Sequence, residues 1–287
     1  MQGLTLVGMV AAIIGASAVY LRLVVMPRPP VGRFVGSDIL IMAAFLIVLP
    51  MAYQNLPKWL VALLFGLVFT VAAAAALGGR AGTLIALALG GFVLVAHYAG
   101  WDAARVISGD LLLAIAVVGV TNMWAQTGMT AAQVTALAAI LAPYDLVATG
   151  LTSVTADLLR HLADAPFTPM LAVSTGDSPI AAGLGDCLIL ALWPLVTTKA
   201  YGRAAGWAGA AIGLAVVAVV ITGVSLGWTH GGVPLMTLLG PCIIAQYFFW
   251  RARLGGERRT WEWRNGVRPG ARRQRVEPAV ARSLSNV

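Results

Sequence analysis

The chain has 287 residues, of which 60% are hydrophobic and only 10% are charged, and its mean hydropathy is +0.87. Soluble domains contain about 45–50% apolar and about 25% charged residues, so this composition excludes a water-soluble enzyme and a disordered chain. The two cysteines, Cys187 and Cys242, lie in apolar runs and indicate no disulfide framework. We therefore expect an all-α, polytopic membrane protein.

Nine apolar runs approach the length of about 20 residues that a membrane-spanning helix needs. In chain order they are Leu4–Leu21, Ser37–Tyr53, Trp59–Leu77, Ala81–Trp101, Leu111–Gly128, Ala131–Thr149, Ser178–Thr198, Ala205–Trp228 and Val233–Trp250. Residues 1–250 are thus predicted to form a nine-helix transmembrane domain, and residues 251–287 a disordered, basic cytoplasmic tail.

The distribution of basic residues predicts the orientation of the chain. With nine spans and the N-terminus outside, sixteen of the nineteen Lys and Arg residues fall in cytoplasmic loops or in the tail. The tail alone holds ten arginines and three glutamates, and we expect it to contact anionic lipid headgroups rather than nucleic acid. The sequence therefore predicts a multi-pass protein of the cell membrane, with its N-terminus outside and its C-terminus in the cytoplasm.

Two of the eight aspartates, Asp145 and Asp186, lie inside apolar spans, the sixth and the seventh. An ionisable residue inside the membrane costs at least about 2.5–3.5 kcal/mol, which makes its presence a functional hypothesis. Asp186 lies about eight residues, or roughly 12 Å, inside the predicted seventh span. If the sixth helix continues outwards past Leu151, both carboxylates lie at the same depth. The other six aspartates, Asp110 included, are assigned to span ends, loops or turns.

Two adjacent carboxylates cannot both ionise and therefore share one proton. The ionised member can take a proton from water while the protonated member polarises a carbonyl, which hydrolyses a peptide bond without a metal or a cofactor. Gly183 and Gly185 suit this arrangement because small residues allow two helices to approach closely. Pro143 is expected to loosen the sixth helix close to Asp145.

These residues resemble the paired motifs of the presenilin and signal peptide peptidase family, which are nine-span intramembrane aspartyl proteases of the GxGD type. Tyr144–Asp145 is similar to the first motif and Gly183–Asp186 to the second. The third motif of the family, Pro-Ala-Leu at the start of the ninth span, is matched here only by Pro234, since Leu235, Met236 and Thr237 follow.

The resemblance implies that Asp145 and Asp186 are the catalytic residues. It implies supporting or substrate-binding roles for Tyr144, Gly183, Leu184, Gly185, Pro234, Leu235 and Met236. The expected orientation is similar to that of signal peptide peptidase, which implies substrates that are single-span segments or remnant signal peptides with a cytoplasmic N-terminus. The outer loop, roughly residues 151–177, is then the expected gate between the catalytic helices. No cofactor and no metal is implied, and the oligomeric state stays open.

Three alternatives remain open from the sequence. Prepilin peptidases also carry a GxGD motif in the membrane, although Cys187-Leu188-Ile189 follows it here where that family typically has Val-Lys. A proton-coupled transporter would use the two acids as a relay. A catalytically silent member of the resembled family would keep the fold alone. The three histidines (His97, His161 and His230) are scattered and have no metal-ligand spacing.

Overall fold

The structure is a computed structural model that describes residues 2–26, 34–152, 154–162, 165–172, 181–227 and 233–270. Its helices are α1 (Gln2–Leu23), α2 (Gly36–Gln54), α3 (Lys58–Leu77), α4 (Gly79–Tyr98), α5 (Asp102–Thr127), α6 (Ala131–Asp145), α7 (Val154–Leu162), α8 (Leu184–Tyr201), α9 (Arg203–Ser225), α10 (Leu235–Leu254) and α11 (Thr260–Arg264). A π-helical segment, Leu146–Leu151, continues α6. The strands β1 (Met170–Ala172) and β2 (Ala181–Gly183) form one antiparallel hairpin, in which Leu171 faces Ala182.

Seven helices of the described residues are long and apolar enough to span a membrane. They are α1 to α5, α6 taken together with the π-helical segment, and α9. Each leaves much of its apolar surface uncovered by the rest of the protein, as expected when lipid rather than water is the solvent. The chain is therefore an all-α, polytopic membrane protein.

Helices α8 and α10 correspond to the predicted seventh and ninth spans but are not among these seven. They have 18 and 20 residues, so their lengths suffice for a span. Their composition is less apolar, because α8 contains Asp186 and Lys199 and the last turn of α10 contains Arg251 and Arg253. Nine membrane-spanning helices thus remain a proposal.

Two predicted boundaries were wrong. Helix α5 begins at Asp102 and not at Leu111, because the polar residues that seemed to interrupt the helix are accommodated within it, Arg105 pairing with Asp102 at 3.7 Å. Helix α8 begins at Leu184, since the residues just before it are paired in the hairpin. The predicted start of that span, Ser178, lies outside the described residues. Asp186 is consequently the third residue of its helix and not about eight residues inside it.

The tail predicted to be disordered is ordered as far as residue 270. Helix α10 runs on to Leu254, and α11 follows with Glu262 buried. The backbone N–H of Arg258 donates to the carbonyl of Ala200 at the end of α8 (3.1 Å), which attaches this segment to the helix bundle. Residues 271–287 lie outside the described residues.

Glu257, at the start of this segment, caps α6. Its Oε2 accepts a hydrogen bond from the N–H of Ala131 (2.8 Å), one of the N–H groups that the first turn of a helix leaves without a partner. Burial raises the pKa of the Glu257 carboxyl, while the hydrogen bond from Ala131 and the charge of Lys199 act in the opposite direction. The ordered part of the tail therefore holds the end of α6 opposite to Asp145.

Small residues lie where the helices of the site pack most closely. Helix α6 packs extensively against α10, where a Cβ on Gly240 would lie 2.7 Å from the Cβ of Ala142. Helix α8 packs as extensively against α9, where a Cβ on Gly206 would lie 2.9 Å from the carbonyl oxygen of Pro194. Glycines on α9 and α10 therefore set the positions of the two helices that carry Asp145 and Asp186.

We expect the Gly206→Ala substitution to destabilise the protein by about 1–3 kcal/mol, because the added methyl group overlaps α8 and the two helices must separate. Thermal unfolding in detergent measures the effect. Gly91→Ala on α4 is the matched control, since no neighbouring segment of the described residues lies within 4 Å of its Cβ position and alanine favours a helix. Equal unfolding temperatures for the two variants would contradict the close α8–α9 contact.

Candidate active site

Asp145 is the last residue of α6, where the helix changes from α to π geometry. Pro143, two residues earlier, has no N–H to donate, which weakens the regular helix at this point. The carboxylate of Asp145 is held by two donors. Its Oδ1 accepts from the hydroxyl of Thr149 (2.8 Å), and its Oδ2 accepts from the backbone N–H of Met236 (2.8 Å).

Asp186 lies in the first turn of α8, three residues after Gly183, the residue that caps the helix. Its carboxylate lies close to the backbone of Gly183, and the N–H of that residue stabilises its charge. An acidic side chain at the third helical position is well placed to turn back towards the cap. A Cβ on Gly183 would lie 3.3 Å from Oδ2 of Asp186, so a larger residue would require the carboxylate to shift.

The hairpin fixes the start of α8. Gly183 faces Met170 across the two strands, and the N–H of Leu184 donates to the carbonyl of Pro169 (2.9 Å). The backbone before Asp186 is therefore held on both sides of the cap, which fixes the direction in which its side chain leaves the helix.

The structure places the two acids on neighbouring helices. The carboxylates of Asp145 and Asp186 lie within electrostatic reach of each other, where α6 and α8 are in contact. Neither forms a salt bridge with a basic side chain of the described residues. The negative charge of the pair is therefore not neutralised by a cation, although the surrounding helices are apolar. Such a pair can hold one proton between two oxygens, supplying both a general acid and a general base.

Of the other predicted residues, some lie beside the acid pair, some belong to the hydrophobic core, and one contacts a different helix. Met236 donates its backbone N–H to the pair, and Pro234 lies against the π-helical segment, where a Cβ on Gly150 would be 3.5 Å from its Cγ. Leu235 is buried in the hydrophobic core, and Leu184 is partly buried against that core. Tyr144 is turned away, since its hydroxyl donates weakly to the carbonyl of Ile47 on α2 (3.4 Å).

The close-approach role predicted for Gly185 was wrong. No atom of the described residues lies within 4 Å of the position that its Cβ would occupy. The tight contact near the pair is instead the one between α6 and α10, at Gly240.

A further acid, more deeply buried than Asp145 and Asp186, was missed by the sequence analysis. Asp110, assigned there to a loop, is 8% exposed and lies inside α5. Its Oδ1 accepts a hydrogen bond from the N–H of Ala172 in β1 (3.1 Å), and its charge reaches Cys187, the residue after Asp186. Asp110 thereby ties the hairpin to α5 and indirectly fixes the start of α8.

Thr149 was missed as well, although the sequence contains the signal for it. It lies four residues after Asp145, a spacing that places two side chains on the same face of a helix. Its hydroxyl also contacts the hydroxyl of Thr155 in α7 (2.9 Å). This hydrogen-bonded chain links the acid pair to the short helix after the π-helical segment.

No group of three or more His, Cys, Asp or Glu residues that could hold a metal ion occurs in the part of the chain that the structure describes. His161 contacts the carbonyl of Leu56 (3.1 Å) and so belongs to the packing of α7 beside α3. His230 lies outside the described residues.

Comparison of the chain with models of protein families, with curated proteins and with solved structures finds no match.

We expect the Asp110→Ala substitution to accelerate hydrogen exchange at the Ala172 amide about tenfold, the effect of losing one hydrogen bond to a charged acceptor. Asp110→Asn keeps a side-chain oxygen in place and should give a smaller change. Exchange followed by mass spectrometry on the peptide that contains β1 measures this in detergent. Asp102→Ala, at the exposed start of the same helix, is the control. Unchanged exchange in Asp110→Ala would contradict the attachment.

Proposed function

We propose that this chain is an intramembrane aspartyl protease that hydrolyses peptide bonds in transmembrane segments or remnant signal peptides. The observation that carries the proposal is the placement of two carboxylates, Asp145 and Asp186, within electrostatic reach of each other on separate helices of an apolar bundle. Both acids are costly in such surroundings, and neither has a basic partner among the described residues that would make it a structural ion pair.

In the proposed reaction the pair binds one water molecule and holds one proton. The ionised carboxylate removes a proton from the water as it attacks the peptide carbonyl carbon. The protonated carboxylate donates a hydrogen bond to the carbonyl oxygen, on which negative charge develops. The C–N bond then breaks as a proton passes to the leaving nitrogen. No cofactor or metal takes part.

Two features of the site support this chemistry. The donors to Asp145, the Thr149 hydroxyl and the Met236 N–H, orient its two oxygens, leaving the rest of their hydrogen-bonding capacity for water and for Asp186. The π-helical segment directly after Asp145 loosens regular backbone hydrogen bonding beside the acid, and π-helical turns are frequent at functional sites. A peptide bond in a helical substrate must lose its helical hydrogen bonds before it can be hydrolysed. Irregular backbone of the protein beside the acids suits a substrate segment that must unwind there.

The proposal includes a nine-span topology of the presenilin and signal peptide peptidase type, in which α8 and α10 join the seven apolar helices as spans. The N-terminus would be outside and the basic C-terminus in the cytoplasm, in the cell membrane. Helix α7 and the hairpin would then form the outer loop beside the acids. Substrates would be single-span segments with a cytoplasmic N-terminus.

We expect purified wild-type protein in detergent to cleave a fluorogenic transmembrane peptide, and Asp145→Asn and Asp186→Asn each to abolish cleavage. Asparagine keeps the shape of the side chain and removes the ionisable proton, so the pair can no longer serve as acid and base. Asp38→Asn is the matched control, since Asp38 only caps α2 through the N–H of Val35. Residual cleavage by either variant of the pair would refute the assignment.

We expect Thr149→Val to lower kcat about tenfold with little change in KM, because one hydrogen bond to the reacting carboxylate is lost while the side-chain shape is kept. Thr149→Ser restores the hydroxyl and should recover most of the activity. A rise in KM at constant kcat would instead indicate that Thr149 contacts the substrate.

A proton-coupled transporter is the second candidate, and one observation favours it. Asp110 adds a third acid near the pair, as a proton relay through the membrane would require. The two candidates separate in liposomes that contain a pH-sensitive dye. A transporter would give proton flux that Asp110→Asn abolishes, whereas a protease would cleave its peptide without flux.

A further inference from the structure

A second polar site lies at the opposite end of the helices that carry the acid pair. A cavity of about 320 Å³ opens where the end of α8, the last turns of α10 and the segment after α10 meet the first turn of α6. Asp186 and Tyr201 are fifteen residues apart on α8, so this cavity is about 22 Å from the acids. It is separate from the proposed protease site and its function does not depend on that proposal.

The cavity contains an unsatisfied buried donor. Tyr201 is 3% exposed and lines the cavity, and its hydroxyl has no hydrogen-bond partner among the described residues. The hydroxyl is within electrostatic reach of Glu257, Tyr247 and Arg251, which line the same cavity. Buried tyrosine hydroxyls normally have a partner, and the missing one indicates a bound group.

Three arginines give the cavity its charge. Arg251, Arg258 and Arg259 line it, and none forms a salt bridge with a carboxylate of the described residues. The Nε of Arg258 is buried and also lacks a partner within that part of the chain. One carboxylate, that of Glu257, faces the same space, but it is engaged by the first turn of α6. The balance of charge around the cavity is therefore positive.

We infer that this cavity binds a phosphate group. Guanidinium groups offer paired N–H donors that match phosphate oxygens, and the Tyr201 hydroxyl supplies a neutral donor beside them. The volume lies at the lower end of the range for small-molecule sites and suits a phosphate with a small substituent. The described residues that line or follow it, 251–270, are basic, with six arginines and two glutamates, as expected at a membrane surface rich in anionic lipid. The phosphate belongs either to a lipid headgroup or to a free anion.

The test is a native mass-spectrometry titration of the full chain in detergent. We expect phosphatidylglycerol to bind at least about tenfold more tightly than zwitterionic phosphatidylcholine. Arg251→Gln combined with Arg259→Gln should weaken phosphatidylglycerol binding about tenfold, and Tyr201→Phe, which removes one oxygen atom, by a smaller factor. Arg253→Gln is the matched control, because Arg253 lies on the same helix and does not line the cavity. It should bind as wild type does.

Inorganic phosphate, added as a competitor, distinguishes the two sources. If it displaces phosphatidylglycerol, the site takes any phosphate group, and if it does not, the site is specific for the lipid headgroup. Equal loss of phosphatidylglycerol binding in Arg253→Gln and in the double variant would overturn the inference, since that result means diffuse attraction of an anionic lipid to the basic end of the protein. Equal binding of the two lipids together with no displacement by inorganic phosphate would overturn it as well, since the cavity would then not select an anionic phosphate group. A normal unfolding temperature for Tyr201→Phe separates loss of binding from misfolding.

Discussion

The constraint on which the structure depends is the cost of a carboxylate in an apolar bundle. Asp110, Asp145 and Asp186 are all placed among helices, and none has a basic partner in the described residues. Asp110 and Asp145 instead accept a hydrogen bond from a backbone N–H, and the N–H of Gly183 stabilises the charge of Asp186. A backbone donor is fixed in space and carries no full charge, so it holds an acid in place without neutralising it. An acid held in this way keeps the capacity to exchange a proton.

The positions of these donors explain the architecture around the pair. The first N–H groups of a helix have no partner within it, and the helix dipole makes that end favourable for an anion. Asp186 uses the cap of its own helix, and Asp145 uses the first turn of α10. Both helices must therefore begin at the depth of the acids. The hairpin sets the start of α8, and the contact of Pro234 with the π-helical segment helps to set the start of α10.

Features that depend on composition and on apolar runs, the long helices and the two acids within them, could be predicted from the sequence. Features that depend on contacts between distant segments could not. The apolar runs identified all the long helices, and the cost of charge in the membrane singled out Asp145 and Asp186. Asp110 was missed because Asp102 and Arg105 made the start of α5 look like a loop, and its partner, Ala172, is 62 residues away. The hairpin was missed because each strand has only three residues, too few for an alternating pattern. That Gly185 has no close neighbour among the described residues follows only from the packing of α8 in the folded chain.

Charged side chains at the opposite end of the bundle are also held by backbone groups at helix ends. There a buried cation lies at the end of one helix and an acid lies at the start of another. Lys199 was assigned to a cytoplasmic loop, yet it is 1% exposed and donates to the carbonyls of Ala125 and Met129 at the end of α5. Glu257 accepts from the start of α6. A cation at a helix C-terminus and an anion at an N-terminus are each stabilised by the helix dipole. These two residues have found their partners within the fold. Arg251 and Arg258 donate to Tyr247, Val267 and Thr198 in part, so the groups left for a ligand are their remaining N–H donors, the buried Nε of Arg258 among them, and the hydroxyl of Tyr201.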